Sequence, residues 1–360
     1  MRLVTTLRGT LPVMVLALVA WGASAPASAE GGGTRAGGEG SPQVAVPCGD
    51  AAALVTAVGQ AAVSGGTVTL ATGCVYTLTS VAATGANGAD GLPVITGNVT
   101  ISGTGATIRR SASAPDFRIA EVAPGGRLTV SGVTLSGGRA VDGAGVLDAG
   151  ALTLNQSAVT TSTASGLGGG VQVAPGATAT FSVSRISGNT AGDGGGVHVG
   201  TGATLNANST TFSDNTAEST GGAIANFGNA VLGAVTLETN HANDFEGGGI
   251  WTSAGDMTFN GGRILGNTAG SDGAGIANFG SALRLQSTVV SENIATLNGG
   301  GVFSHAGSTQ IVGANISGNT ANGGQGGGIF SDGGSVSLMA TNVTGNNPNN
   351  CVPALAGCSG

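Results

Sequence analysis

One asparagine returns at a nearly constant interval: Asn189, Asn215, Asn240, Asn267, Asn293, Asn319 and Asn346, with steps of 26, 25, 27, 26, 26 and 27 residues. A glycine-rich corner keeps the same interval and ends at Val171, Val197, Ile224, Ile250, Ile276, Val302 and Ile329. A period of this size means that one supersecondary unit is stacked on copies of itself, each covering the face its neighbour exposes. The 331 residues that follow the leader described below would otherwise suggest two domains, but a solenoid grows without a second core.

A single period, residues 247–272, contains three short β segments separated by Gly, Asn and Ser corners. Aligning neighbours on the third segment gives the apolar column Leu135, Val159, Ile186, Phe212, Leu237, Ile264, Val290, Ile316 and Val343. Five residues earlier stands a second column: Val130, Leu154, Phe181, Ala207, Leu232, Phe259, Leu285, Ile311 and Leu338. The corner valines and isoleucines make a third. Their immediate neighbours are mostly Ser, Thr, Gly or Asn, the alternation of a strand with one face inward and one outward. Three inward columns describe an all-β fold, a single-stranded parallel β-helix of about 11 coils over residues 66–346. Its right-handed sense follows from the rule for parallel crossovers. At ~4.8 Å per coil the rod is roughly 50 Å long.

The asparagines lie in S-G-N-T-A corners, where they are expected to take the left-handed conformation and to hydrogen-bond from coil to coil. Glycines at 168–170, 194–196 and 326–328 let corners close without a Cβ clash. Open β stacks aggregate through their ends, and both ends carry cap signals. Asp50 is placed to N-cap a helix over residues 51–63, with Leu54, Val55 and Val58 plugging the first coil. Residues 47–65 therefore read as an N-terminal cap, and 347–360 as a C-terminal cap. A monomer is expected.

The chain opens with a secretory signal over residues 1–29. Arg2 and Arg8 precede an apolar run from 11 to 20, and Ala27-Ser28-Ala29 supplies the cleavage site. The apolar run is too short to cross ~30 Å of hydrocarbon, and no later stretch is long enough, so no membrane span is expected. Gly-rich residues 30–46 read as a disordered linker. In an exported chain Cys48 with Cys74 and Cys351 with Cys358 read as disulfides, one at each end of the array. Beyond residue 29 there are nine arginines, no lysine and 18 acidic residues, a net charge of −9. No basic patch exists to neutralise phosphates, which argues against nucleic acid.

The G-G-[GA]-[IV] corners paired with S-x-N-T-A resemble the repeats of right-handed parallel β-helix proteins of the pectate-lyase-like superfamily. The GGAI at 221–224 is similar to the short repeat of polymorphic outer-membrane proteins. Lyases and hydrolases on that fold cluster carboxylates on one outer face, and the resemblance implies such a cluster beside the corners. Asp193, Glu246 and Asp272 stand before glycine corners, with Glu246 and Asp272 one coil apart. Carboxylates and carbonyls are calcium ligands, so these two residues are the candidate metal site. Their neighbours in register, Thr220, Asn298 and Gln325, supply no base. The motifs W-x-D-H and R-x-P-x-x-R are absent, as are N-T-D, D-D and G-H-G. Arg109, Arg110 and Arg118 with Asp116 form the densest charge, expected to pair locally at the surface or to meet an anion. His198, His241 and His305 lie on separate coils.

The outward position after each corner runs Gln172, His198, Ala225, Trp251, Ala277, Phe303 and Phe330. Aromatics on a flat β face can stack on sugar rings or dock a protein. The expectation is a secreted, non-catalytic protein at the cell surface or matrix. It would bind polysaccharide or a cell-surface protein through Trp251, Phe303 and Phe330. The alternative, an extracellular polysaccharide lyase or glycoside hydrolase, rests on fold analogy.

Overall fold

The structure, a computed structural model, describes residues 42–358, which form a parallel β-solenoid of about twelve turns with one short helix. The expected signal and most of the expected linker lie outside these residues. One turn is seen in residues 197–222: Val197–Val199, Thr204–Asn208, Thr211–Ser213 and Thr216–Ala217. The first strand belongs to a ten-stranded corner sheet, the next two to a folded 19-stranded sheet, and the last to an eight-stranded sheet.

The three expected columns stack in register. Ile186, Phe212, Leu237, Ile264 and Val290 face one another from coil to coil, as do Phe181, Ala207, Leu232, Phe259 and Leu285. All ten are buried. Complete burial of each large apolar side chain stabilises the fold by ~1.5–3 kcal/mol. A fourth segment was not expected: the two-residue strands ending in Ala164, Ala191, Ala217, Ala242, Ala269, Ala295 and Ala321 turn these alanines inward. Two residues are too few to show an alternation.

The asparagine ladder is present, and its mechanism differs from expectation in one respect. Asn189 Nδ2 donates to Asn215 Oδ1 at 3.0 Å, Asn215 to Asn240 at 3.0 Å, and Asn240 to Asn267 at 2.9 Å. The same Nδ2 groups donate to carbonyls such as Ile186 O, and each Oδ1 accepts a backbone N–H from the preceding coil. The left-handed residue is the one before each asparagine: Gly188, Asp214, Thr239, Gly266, Glu292, Gly318 and Gly345, with φ from 53° to 67°. The preceding residue makes the bend, which leaves the amide inside, fully buried at Asn215 and Asn267.

A second polar ladder runs inside the third position of the corner strands. Asn226 Nδ2 donates to Thr252 Oγ1 at 3.1 Å, and Thr252 shares a hydrogen bond with Ser281 at 2.8 Å. Asn278 Nδ2 donates to Thr309 Oγ1 at 3.0 Å. Asp148, at the same position earlier in the chain, is fully buried and accepts from Gly150 N at 3.0 Å. Burial is the main reason its carboxyl is pushed up to about 7.

At the N-terminal end the expected linker stops short of residue 46. β1 (Gln43–Val46) pairs in parallel with Gly66–Leu70. α1 (Ala51–Ser64) follows, N-capped by Asp50, whose Oδ1 accepts from Ala53 N at 2.9 Å. Leu54, Ala57, Val58, Ala61 and Ala62 are its buried residues, and Val55 packs against the same core while partly exposed. Cys48 is bonded to Cys74, and Cys351 to Cys358. Cys351–Val352 adds one more strand to the corner sheet beside Ile329–Asp332. No helix among the described residues is long and apolar enough to cross a membrane.

Candidate functional site

Alternation within each corner strand places its first and third residues inside and its second outside. Backbone register therefore aligns Leu147, Gln172, His198, Ala225, Trp251, Ala277, Phe303 and Phe330 in one outward column. Two residues further on lies another outward position, held by Phe227, Phe279 and His305. Where the first column has alanine the second has phenylalanine, and Ser253 follows Trp251. The large rings thus zigzag between the two columns.

Ring centroids are 5.2 Å apart for His198 and Phe227, 4.8 Å for Phe227 and Trp251, and 6.0 Å for Trp251 and Phe279. Phe279 to Phe303 is 5.4 Å, and Phe303 to Phe330 is 5.8 Å with the planes nearly parallel. His305 rests on Phe279 at 5.5 Å. These are spacings of mutually attractive aromatic pairs. Phe303 is buried, whereas Trp251, Phe227, Phe279 and Phe330 are half-buried and His305 is exposed. Of the three aromatics expected to be presented, then, Phe303 is the strut and Trp251 and Phe330 keep surface. Phe227 and Phe279 were missed. The signal was the pentapeptide IANFG, which occurs at 224–228 and again at 276–280.

The acids before the glycine corners border this strip and are tied to neighbouring coils. Asp193 Oδ1 accepts from Thr220 N at 3.2 Å and from Thr220 Oγ1 at 2.9 Å. Asp272 Oδ1 accepts from Asn298 N at 2.6 Å, and Asn298 Oδ1 accepts from Gln325 N at 2.9 Å. Burial pushes the Glu246 carboxyl up, and the Asp272 charge one coil away pushes it further. Among the described residues no group of three His, Cys, Asp or Glu side chains could hold a metal ion.

The arginine group divides. Arg110 binds Asp116 at 2.9 Å and the carbonyls of Ala114 and Pro115, which ties down the loop between two coils as expected. Arg118 is not at the surface. It is buried with Asp90 and Glu121, donating through Nη1 to both at 3.0 Å and through Nη2 to Asn87 O at 2.6 Å. Burial first, opposed by the guanidinium, pushes Asp90 up to about 6. Arg118 and Glu121 come from one coil, while Asp90 and Asn87 belong to the hairpin of Ala83–Gly85 and Gly88–Asp90. Two carboxylates and an arginine do meet, but as the buried anchor of that hairpin.

The histidines do not converge. His241 Nδ1 bonds Thr268 Oγ1 at 2.6 Å, and His305 Nδ1 meets Asp332 Oδ2 at 3.1 Å in an exposed pair. A depression of about 830 Å³ follows the bend of the long sheet. Ser131, Ser157, Ser184, Arg185 and Ser209 line it, away from the rings. No protein-family model, curated protein or solved structure matches this chain.

Proposed function

We propose that this is a secreted, non-catalytic β-solenoid protein that binds polysaccharide through the aromatic strip of its corner sheet. The observation that carries the reading is the unbroken run of rings from Phe227 through Trp251, Phe279 and Phe303 to Phe330. Five successive coils at ~4.8 Å give it a length of roughly 20 Å, enough for several sugar units laid along the solenoid. The apolar faces of pyranose rings suit such a platform, and a rigid sheet presents it without an ordering cost. Two disulfides support an extracellular setting. The G-G-[GA]-[IV] and S-x-N-T-A motifs resemble those of pectate-lyase-like β-helix proteins, and that resemblance supports a polysaccharide ligand.

The alternative is a lyase or hydrolase, favoured by one observation, the raised carboxyl of Glu246 beside Asp272. Retention on insoluble glycans and cell-wall material, with release of sugars measured in parallel, tests both. The expected result is retention without release, weakened at least tenfold by Trp251→Ala. Retention unchanged in that variant would refute the strip. Sugar release abolished by Glu246→Ala or Asp272→Ala would establish the enzyme instead.

A further inference from the structure

Resting on the strip as a glycan platform, we infer that its ligand is a neutral, hydroxyl-rich chain, and that Gln172 and His198 form the hydrogen-bonding end of the site. These two residues occupy adjacent coils of the outward column, just before the first phenylalanine. Both are more than nine-tenths buried, and Gln172 Oε1 and His198 Nδ1 have no hydrogen-bond partner in the structure. Buried polar atoms are almost always paired, so two neighbouring exceptions on one face point to a missing partner. His198 also stacks against Phe227 at 5.2 Å, so the unpaired polar atoms continue directly into the ring ladder.

The chemistry of the missing partner is restricted. An amide oxygen only accepts, so its partner must donate; a hydroxyl donates and a carboxylate does not. Rotation of the amide about its terminal torsion, which is soft, can present the N–H2 end instead, so the amide suits a group that both donates and accepts, and it is the acidic border that argues against a carboxylate. Burial holds the His198 imidazole below its ordinary pKa despite Asp193 and Asp142 nearby, so it meets a ligand as a neutral ring with one donor and one acceptor. A sugar hydroxyl satisfies both kinds of atom.

Charge points the same way. In the outward column the arginines are absent from Leu147 to Phe330, and Arg127, Arg139, Arg185, Arg263 and Arg284 all lie on the other two sheets. The border of the strip is acidic, with Asp193, Glu246 and Asp272. A polyuronate laid on it would find repulsion and no counter-charge. Beyond Leu147 the column reaches Glu121, which is closed over by Asn87 of the hairpin at 2.7 Å. The polar pair therefore stands, buried, between that closed end and the first ring of the ladder.

Calorimetric titration of the chain from Glu30 onward with cellohexaose, mannohexaose and hexagalacturonate tests the inference. The expected result is binding of a neutral hexasaccharide, none of hexagalacturonate, and a loss of about tenfold or more in affinity when both polar ends are removed by Gln172→Leu with His198→Phe. His198→Phe keeps the ring contact with Phe227, and equal thermal midpoints establish that the variant is folded. His198→Gln, which restores a polar end in the Gln172→Leu background, is expected to recover part of the loss. Tighter binding of hexagalacturonate overturns the neutral-ligand assignment. Unchanged neutral binding by the folded double variant overturns the polar end while leaving the aromatic strip standing. Absence of all glycan binding overturns both.

Discussion

Replacing Asp148 with asparagine should stabilise the protein above neutral pH and leave it unchanged in acid. Asp148 is fully buried; Oδ1 has Gly150 N, and Oδ2 has no partner. Two asparagines at the equivalent position show what an amide does there. Asn226 donates to Gly228 O at 3.1 Å while accepting from Gly228 N, and Asn278 does the same with Ser281 at 3.2 and 2.9 Å. The sign follows from linkage. The folded carboxyl titrates near 7 against 3.8 for an ordinary solvated aspartate, so the unfolded chain gives up its proton first, and stability falls as pH rises between those values. At ~1.4 kcal/mol per pH unit the full window is worth about 4 kcal/mol. Asp148→Asn removes that loss, giving an expected gain of roughly 2–4 kcal/mol at pH 8 and close to none at pH 4. Urea unfolding followed by circular dichroism at both pH values measures it. Asp90, pushed up to about 6, titrates alike in both proteins, so the difference between them isolates position 148. A variant less stable than the parent at pH 8, or a difference independent of pH, would refute the reasoning.

Asn267→Ala removes the acceptor of Asn240 N and Nδ2, at 3.0 and 2.9 Å, as well as the donor to Asn293. Leaving those buried groups unpaired should cost roughly 2–5 kcal/mol in the same unfolding experiment, whereas an exposed asparagine would cost almost nothing. Arg118→Met leaves Asp90 and Glu121 buried without a counter-charge. A loss of about 3–5 kcal/mol is expected, with faster amide exchange in the hairpin that ends at Asp90. Exchange rates there equal to those of the parent would contradict its role as anchor.

What could be read in the sequence was whatever repeats at one residue per coil. Ile264 over Val290 follows directly from a period of 26, because equal spacing along the chain becomes vertical stacking in a solenoid. The asparagine ladder was legible for the same reason; Asp50 as a cap was legible from local spacing, and the two disulfides from two cysteine pairs set at opposite ends of the array. Features built from unequal positions were not legible. Phe227 and Phe279 interleave with Trp251 and Phe303 only because two outward columns lie side by side on the sheet. Arg118 meets Asp90 across 28 residues through a hairpin that interrupts the repeat. The position of the left-handed residue was misread by one, since glycine and asparagine are adjacent in S-G-N-T-A and both tolerate the conformation. The coils with Asp214, Thr239 and Glu292 before the asparagine hold the clue that the preceding position makes the bend, whatever residue fills it.

Trp251 is the only tryptophan after residue 29 and sits between Phe227 and Phe279 in the middle of the strip. Its fluorescence in the chain that starts at Glu30 reports directly on whether the rings are where ligand lands. Titration with a neutral oligosaccharide should change emission saturably, with a midpoint equal to that from calorimetry. Binding by calorimetry with Trp251 emission unmoved would place the ligand elsewhere on the solenoid and contradict the strip as the working surface.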